Sequence, residues 1–238
     1  MPPAVSEPVP ALVTLHLWRV SPRGVAAALA LMGRDRIAVR RTAGVRFAKM
    51  LGTGDGRTFT VRDADPLRWG LLAAWTDQER AADFQQSTTV RTWSRLARES
   101  WRIDLVPVTS RGTWSGRRPF GDPSPVRTAG PVAAITRARL TAAKAARFWS
   151  AVPPVSTELH RSPGLLAAVG IGEAPIGLQG TFSLWSSADA LNDFAHGSDA
   201  HRGAVRRTPV EGWYAEELFA RFRVVGSQGS LMGVDPLA

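Results

Sequence analysis

Trp75-Thr76-Asp77-Gln78-Glu79-Arg80-Ala81-Ala82-Asp83-Phe84 and Trp185-Ser186-Ser187-Ala188-Asp189-Ala190-Leu191-Asn192-Asp193-Phe194 open two copies of one pattern. In each, a tryptophan ends an apolar run and Asp-Phe follows at the same distance. Each copy closes on Ser-x-Gly-x-x-x-Gly, at Ser110, Gly112 and Gly116 and again at Ser227, Gly229 and Gly233. Such self-similarity marks a duplicated structural unit. The second copy is longer between Phe194 and Ser227, and that interval holds His196, His201, Trp213 and the only tyrosine, Tyr214. Function is expected where the duplication lost its symmetry.

Working outward, Val13–Val20 alternates with strand period, and Ser21-Pro22 ends it and starts a helix over Arg23–Met32. Phe47–Leu51 and Arg68–Trp75 are the next strands; Asp77 caps a helix to about Phe84, a second helical segment spans Thr88–Glu99, and Arg102–Thr109 alternates again. The order β-α-β-β-α-β is the ferredoxin-like unit. It restarts with strand Val132–Leu140, a helix from Thr141 to near Val152, strands Leu166–Gly170 and Leu178–Trp185, a helix over Ala188–Ala195 and a final strand beyond Glu216. Two units are predicted, 12–116 and 132–238, joined by a Pro-, Gly- and Arg-rich linker at 117–131. The fold class is α+β: tandem ferredoxin-like units set face to face and closed into a barrel with helices outside. A pocket between one sheet and its own helices is the natural site. Gly52-Thr53-Gly54-Asp55-Gly56 lacks the Gly-Lys-Ser/Thr ending of a phosphate loop and reads as a turn, echoed by Gly170-Ile171-Gly172-Glu173.

Composition narrows the chemistry. Apolar residues at 44% and charged ones at 21% are globular values, and no apolar run approaches a bilayer span, so no integral membrane segment is expected. The first residues do not read as a signal peptide, which points to the cytoplasm. With no cysteine, disulfides, iron–sulfur clusters, thiolate-ligated haem, covalent haem through Cys-x-x-Cys-His and cysteine zinc sites are excluded. The net charge of +10 rests on scattered arginines without interleaved aromatics, which argues against nucleic acid.

Of the four histidines, His16 lies on an alternating strand and His160 in a loop beside Arg161, Ser162 and Pro163. His196 and His201 are five apart, so an unbroken helix would not aim both at one ion. Gly197 and Gly203 frame a segment with Asp199 and His201 whose backbone can approach a large planar ligand. The residues alone leave a structural role open for each histidine, with His201 the candidate ligand. Glu216-Glu217 beside Arg221 and Arg223 reads as a solvated helix face. No Gly-x-Ser-x-Gly elbow supports serine hydrolysis.

Lys49-Met50-Leu51-Gly52-Thr53-Gly54, Leu71–Trp75, Thr136-Arg137, Gly170-Ile171-Gly172-Glu173 and above all Glu211-Gly212-Trp213-Tyr214-Ala215-Glu216-Glu217-Leu218-Phe219-Ala220-Arg221-Phe222 together resemble the spheroidene monooxygenase family, from about Val13 to Pro236. The resemblance implies a dimeric α+β barrel-type fold and a haem-dependent oxidation of carotenoids with dioxygen. His201, twelve residues before Trp213, falls on the family's histidine and is implied as the iron ligand of haem b, with Asp199 considered as its orienting neighbour. Given such a haem, Arg137 is a candidate for a propionate or for bound oxygen, and Arg206 and Arg221 are propionate candidates by charge, with a surface role open for each. Leu231-Met232 departs from the Lys-Trp that ends the family's final strand. The substrate would be an apolar small molecule in a dry pocket of the barrel. No flavin or nicotinamide fingerprint is present, so electrons would come from an external ferredoxin or reductase. Barrels of this type often pair, which sets a homodimer as an expectation. Two rival readings are a haem lyase of the aldoxime dehydratase type and a haem-free binding protein.

Overall fold

A computed structural model describes residues 7–55, 63–140, 157–173, 180–197 and 214–238. Eight strands, β1 (Leu12–Val20), β2 (Val45–Gly54), β3 (Ala64–Trp75), β4 (Ala97–Gly112), β5 (Val132–Leu140), β6 (Leu165–Gly172), β7 (Gly180–Trp185) and β8 (Tyr214–Gly229), close into an antiparallel barrel in the order β1-β3-β2-β6-β7-β5-β8-β4. Helices α1 (Val25–Ala38), α2 (Gln78–Gln85), α3 (Thr88–Leu96) and α4 (Ala188–Gly197) accompany it. The mixed α+β barrel anticipated from the duplication is present. The helix expected over Thr141–Val152 lies outside the described residues.

The repeat is visible in the register. Leu12 faces Trp75 as Val132 faces Trp185, and Val13 faces Leu105 as Ala133 faces Phe222. Side chains alternate along each strand, so Val13, Leu15 and Leu17 enter the barrel interior while Leu12, His16 and Trp18 meet the helices. One seam between halves is long, Trp101–Gly112 against Leu218–Gly229; the other is short. At the short seam the echoing glycine motifs pair with one another, Gly52 with Gly172, Thr53 with Ile171 and Gly54 with Gly170. The cluster expected to be a turn is therefore strand up to Gly54.

The closing Ser-x-Gly-x-x-x-Gly motif is a reciprocal lock. Glu216 Oε1 accepts from the Gly116 amide (2.6 Å) and Thr113 Oγ1 (3.1 Å), while Glu99 Oε1 accepts from the Gly233 amide (2.6 Å) and Ser230 Oγ (3.3 Å). Each half thus holds the turn that follows the other half's last strand. Gly112 and Gly229 leave the strands at φ 91° and 93°, where a Cβ would strike the carbonyls of Glu217 and Ser100. Glu99 performs this on β4, because α3 ends at Leu96 and not at Glu99.

Phe47, Trp101, Trp114, Phe120, Phe182 and Phe222 fill the barrel interior. An eight-stranded barrel is narrow enough for side chains to fill it in this way. The described interior is a core. Phe120, in the segment read as a linker, is part of it and meets Phe222 edge to face with centroids 4.9 Å apart.

Between the first-half sheet and its helices lies a second core containing Trp18, Trp69, Trp75, Trp93 and Phe84. Trp18 and Trp93 stack at 5.2 Å, and the Trp93 indole donates to buried Asp35 (2.9 Å). His16 belongs here, stacked on Trp18 at 5.2 Å and 3% exposed. Burial, then the Arg102 charge, lowers its pKa to about 3. The unfolded chain binds a proton below about pH 6.5 that the native state refuses, so this group's contribution falls as pH drops, by about 2 kcal/mol at pH 5. The His16→Leu variant should therefore lose less stability than wild type between pH 7 and pH 5, as read by urea midpoints at both pH values. Equal slopes would contradict the buried neutral imidazole.

Candidate active site

The helix-facing surfaces of the two half-sheets begin alike and then diverge. Near the paired tryptophans they match: Trp75 lies 5.1 Å from Phe84 and Trp185 5.3 Å from Phe194. Farther along, His16, Leu71 and Met50 form one cross-strand row in the first half. The same row in the second half is Thr136, Thr181 and Gly170, and the position of Trp18 is held by Ala138. Four bulky side chains have become small ones on adjoining strands. His16, Leu71, Met50 and Trp18 are all buried, whereas Thr136 is exposed, Thr181 and Ala138 half-buried and only Gly170 buried. At these positions the second half has a floor of small and hydroxyl side chains where the first has a packed core; its own helix-side core of Val132, Ala134, Leu159, Trp185 and Leu191 lies nearer the paired tryptophan.

Arg221 borders this floor. It lies on β8 with Ala220 and Phe222 turned inward, so its own side chain faces the helices, and it donates to Asn192 Oδ1 of α4 (2.6 Å). Burial lowers its pKa, and among the described residues no carboxylate lies within ion-pair distance. The first half has Asp104 at this position. A half-buried guanidinium with no acid partner among the described residues, beside a floor of small side chains, suits an anionic group on a flat ligand. These residues would fit haem: small side chains beneath a planar macrocycle and a cation for a propionate. His201 and Arg206 lie outside the described residues. His160 and His196 are exposed.

Arg137 faces the other way. Its neighbours Ile135 and Ala133 are interior, and its guanidinium donates to Glu173 (2.7 Å) and Glu216 (2.9 Å) and lies 5.0 Å over the Trp114 ring. Lys49 pairs with the other oxygen of Glu173 and donates to Ser115 Oγ (2.6 Å), and the Trp114 indole donates to Glu173 (2.7 Å). Burial opposes ionisation of Glu173, yet the bonds from Lys49 and Trp114 outweigh it and hold the carboxyl below its ordinary value. In Glu216 burial is likewise outweighed, by the Gly116 and Ser115 amides and Arg137. Burial pushes the Lys49 ammonium down against the pull of Glu173. Arg137, expected at a propionate or at bound oxygen, is thus committed to an interior ion network on the opposite face of the sheet from the floor. Glu216, read as a solvated helix face, is a strand residue with an 8% exposed side chain in that network. The signal that marks the network is a lysine or arginine at an inward apolar position: Leu17 and Val169 occupy the equivalent places in the opposite halves.

No protein-family model matches the chain. It is 40% identical over 200 residues to the spheroidene monooxygenase of Rhodobacter capsulatus, a match covering 82% of this chain and 81% of the relative. The chain belongs to the spheroidene monooxygenase family. Spheroidene monooxygenases of Rubrivivax gelatinosus (37% over 216 residues, 88% of this chain and 82% of the relative) and Cereibacter sphaeroides (34% over 211 residues, 88% of this chain and 65% of the relative) agree. The spheroidene monooxygenase assignment makes the chain an oxidoreductase. Among solved structures, an aldoxime dehydratase superimposes with TM-score 0.58 at 11% identity, over 90% of this chain and 80% of that one. A second, in complex with butyraldoxime, gives 0.56 at 10%, over 90% and 79%. At such identity the likeness extends to the fold alone. No described helix is long and apolar enough to cross a membrane.

Proposed function

We propose that this chain is a haem-dependent monooxygenase that inserts oxygen from dioxygen into a carotenoid or a similar apolar substrate, using electrons from an external donor. The reading is supported by relatives named for oxygenation of spheroidene. The observation that carries the cofactor is the replacement of His16, Leu71, Met50 and Trp18 by Thr136, Thr181, Gly170 and Ala138 on the helix-facing side of one half only. One haem per chain follows, because the first-half surface is full.

His201 would hold the iron through a neutral imidazole, and Arg221 and Arg206 would neutralise propionates. When bound, haem supplies the binding and activation of dioxygen. The chain's part is to present an apolar reaction space, exclude water from it and fix the cofactor's orientation; Thr136 and Thr181 are the hydroxyl donors on the floor. Arg137 acts as a positioning residue: with Glu173 and Glu216 it stiffens β5, β6 and β8 beneath the floor. We further infer a cytoplasmic protein that pairs as a homodimer.

The oxygenase reading is tested with protein loaded with haem, a reductant and carotenoid under ¹⁸O₂. Label in the product is the expected result. Turnover without dioxygen, or a product without label, would favour lyase-type chemistry.

A further inference from the structure

Helix α1 presents a charge and hydrophobicity pattern that its packing leaves unused. Ala28, Met32 and Asp35 turn inward. At about 100° per residue the outermost line is then Ala26, Ala30, Gly33 and Ile37, and Ile37 and Leu29 are 57% and 44% exposed. Arg34 borders this line and is tied to Asp35, Arg36 lies on the side of the helix, and Arg40 and Arg41 come just beyond its end, all exposed. The single acid on the helix, Asp35, is buried and taken by Arg34 and the Trp93 indole.

The neighbouring helix continues the pattern. α3, joined to α1 by the Trp93–Asp35 bond, exposes Arg91 and Arg95 and has no acidic residue. By contrast, α2 exposes Glu79 and Asp83 beside a single Arg80, and α4 exposes Asp189 and Asp193. Charge is therefore segregated between the helices, and the basic pair includes the one with an apolar outer line.

We propose that the α1 face, extended by α3, docks on an anionic lipid bilayer. Exposed aliphatic side chains beside free arginines suit a bilayer surface: Ile37 and Leu29 enter the headgroup boundary while the Arg36, Arg40 and Arg41 guanidinium groups reach anionic headgroups on flexible stems. A second copy of the chain is the poorer occupant, since a twofold contact here would set arginines against arginines. The surface also gives the proposed carotenoid oxygenase a route to a bilayer-dissolved substrate. The docking claim itself does not depend on haem, and its readout stays valid if the protein proves colourless.

The test is co-sedimentation of the full chain with phosphatidylcholine vesicles with and without phosphatidylglycerol. Binding is expected only with phosphatidylglycerol and should weaken as salt is raised. Arg36→Glu with Arg40→Glu should lower the partition coefficient roughly tenfold or more, and Ile37→Glu should lower it at unchanged salt dependence. Arg127→Glu with Arg161→Glu, the same change in net charge at exposed residues elsewhere, should leave it nearly unaltered. Absence of phosphatidylglycerol-dependent binding, or equal loss in both charge-reversed pairs, overturns the proposal. So does an α1 substitution that changes oligomeric mass but not vesicle binding.

Discussion

Arg137→Leu is expected to cost about 3–5 kcal/mol of folding stability, because it strands two carboxylates that share one buried cation. Glu173 and Glu216 have side chains 19% and 8% exposed and both bond to the Arg137 guanidinium. Glu216 is the more enclosed of the two, and Lys49 reaches only Glu173. The pseudo-twofold supplies the control. Register places Leu17, Val169 and Thr53 in the other half where Arg137, Lys49 and Glu173 stand here. Replacing all three with those counterparts, Arg137→Leu with Lys49→Val and Glu173→Thr, should recover most of the loss, since a buried ion network exchanged for apolar groups of fitting shape is often neutral. Glu216 stays, because its counterpart Glu99 also locks a turn. Chemical denaturation of the three proteins reads the effect. A mild single variant, or a triple variant no better than the single, would contradict the network's role.

Refilling the second-half floor should abolish cofactor binding while leaving the fold intact. Gly170→Met with Thr181→Leu writes the first-half residues Met50 and Leu71 onto adjoining strands. Both substitutes suit a strand facing helices, and in the first half they are 4% and 0% exposed. If a planar ligand lies on this floor, two large side chains occupy its volume and affinity should fall at least about a hundredfold, on the scale of a few kcal/mol for overpacking. Circular dichroism and the denaturation midpoint check the fold, and hemin titration reads the affinity. Unchanged hemin affinity in the folded variant would move the ligand elsewhere.

The duplication and the order of elements were legible in the chain because each follows from local periodicity and turn residues. Gly52-Thr53-Gly54 was misjudged because its role depends on Gly170-Ile171-Gly172 across the seam. A pairing between distant segments leaves no local period. Glu216 was misjudged for a related reason: paired carboxylates near arginines look alike on a helix face and on a strand until register turns one of them inward. The emptied floor was written in the sequence as Met50 against Gly170 and Leu71 against Thr181, but only the strand register aligns those positions. Arg137 and Lys49, cations within apolar strands, were the available sign of the interior network.

The most direct test of the account is hemin titration of the full-length chain and of its His201→Ala variant, followed by absorption spectroscopy. The account predicts one haem per chain in the wild type, with a Soret band of a histidine-ligated iron, and loss or severe weakening of binding in His201→Ala. His196→Ala should leave the spectrum unchanged. Failure of the wild type to bind haem stoichiometrically, or an unaltered spectrum in His201→Ala, would contradict it.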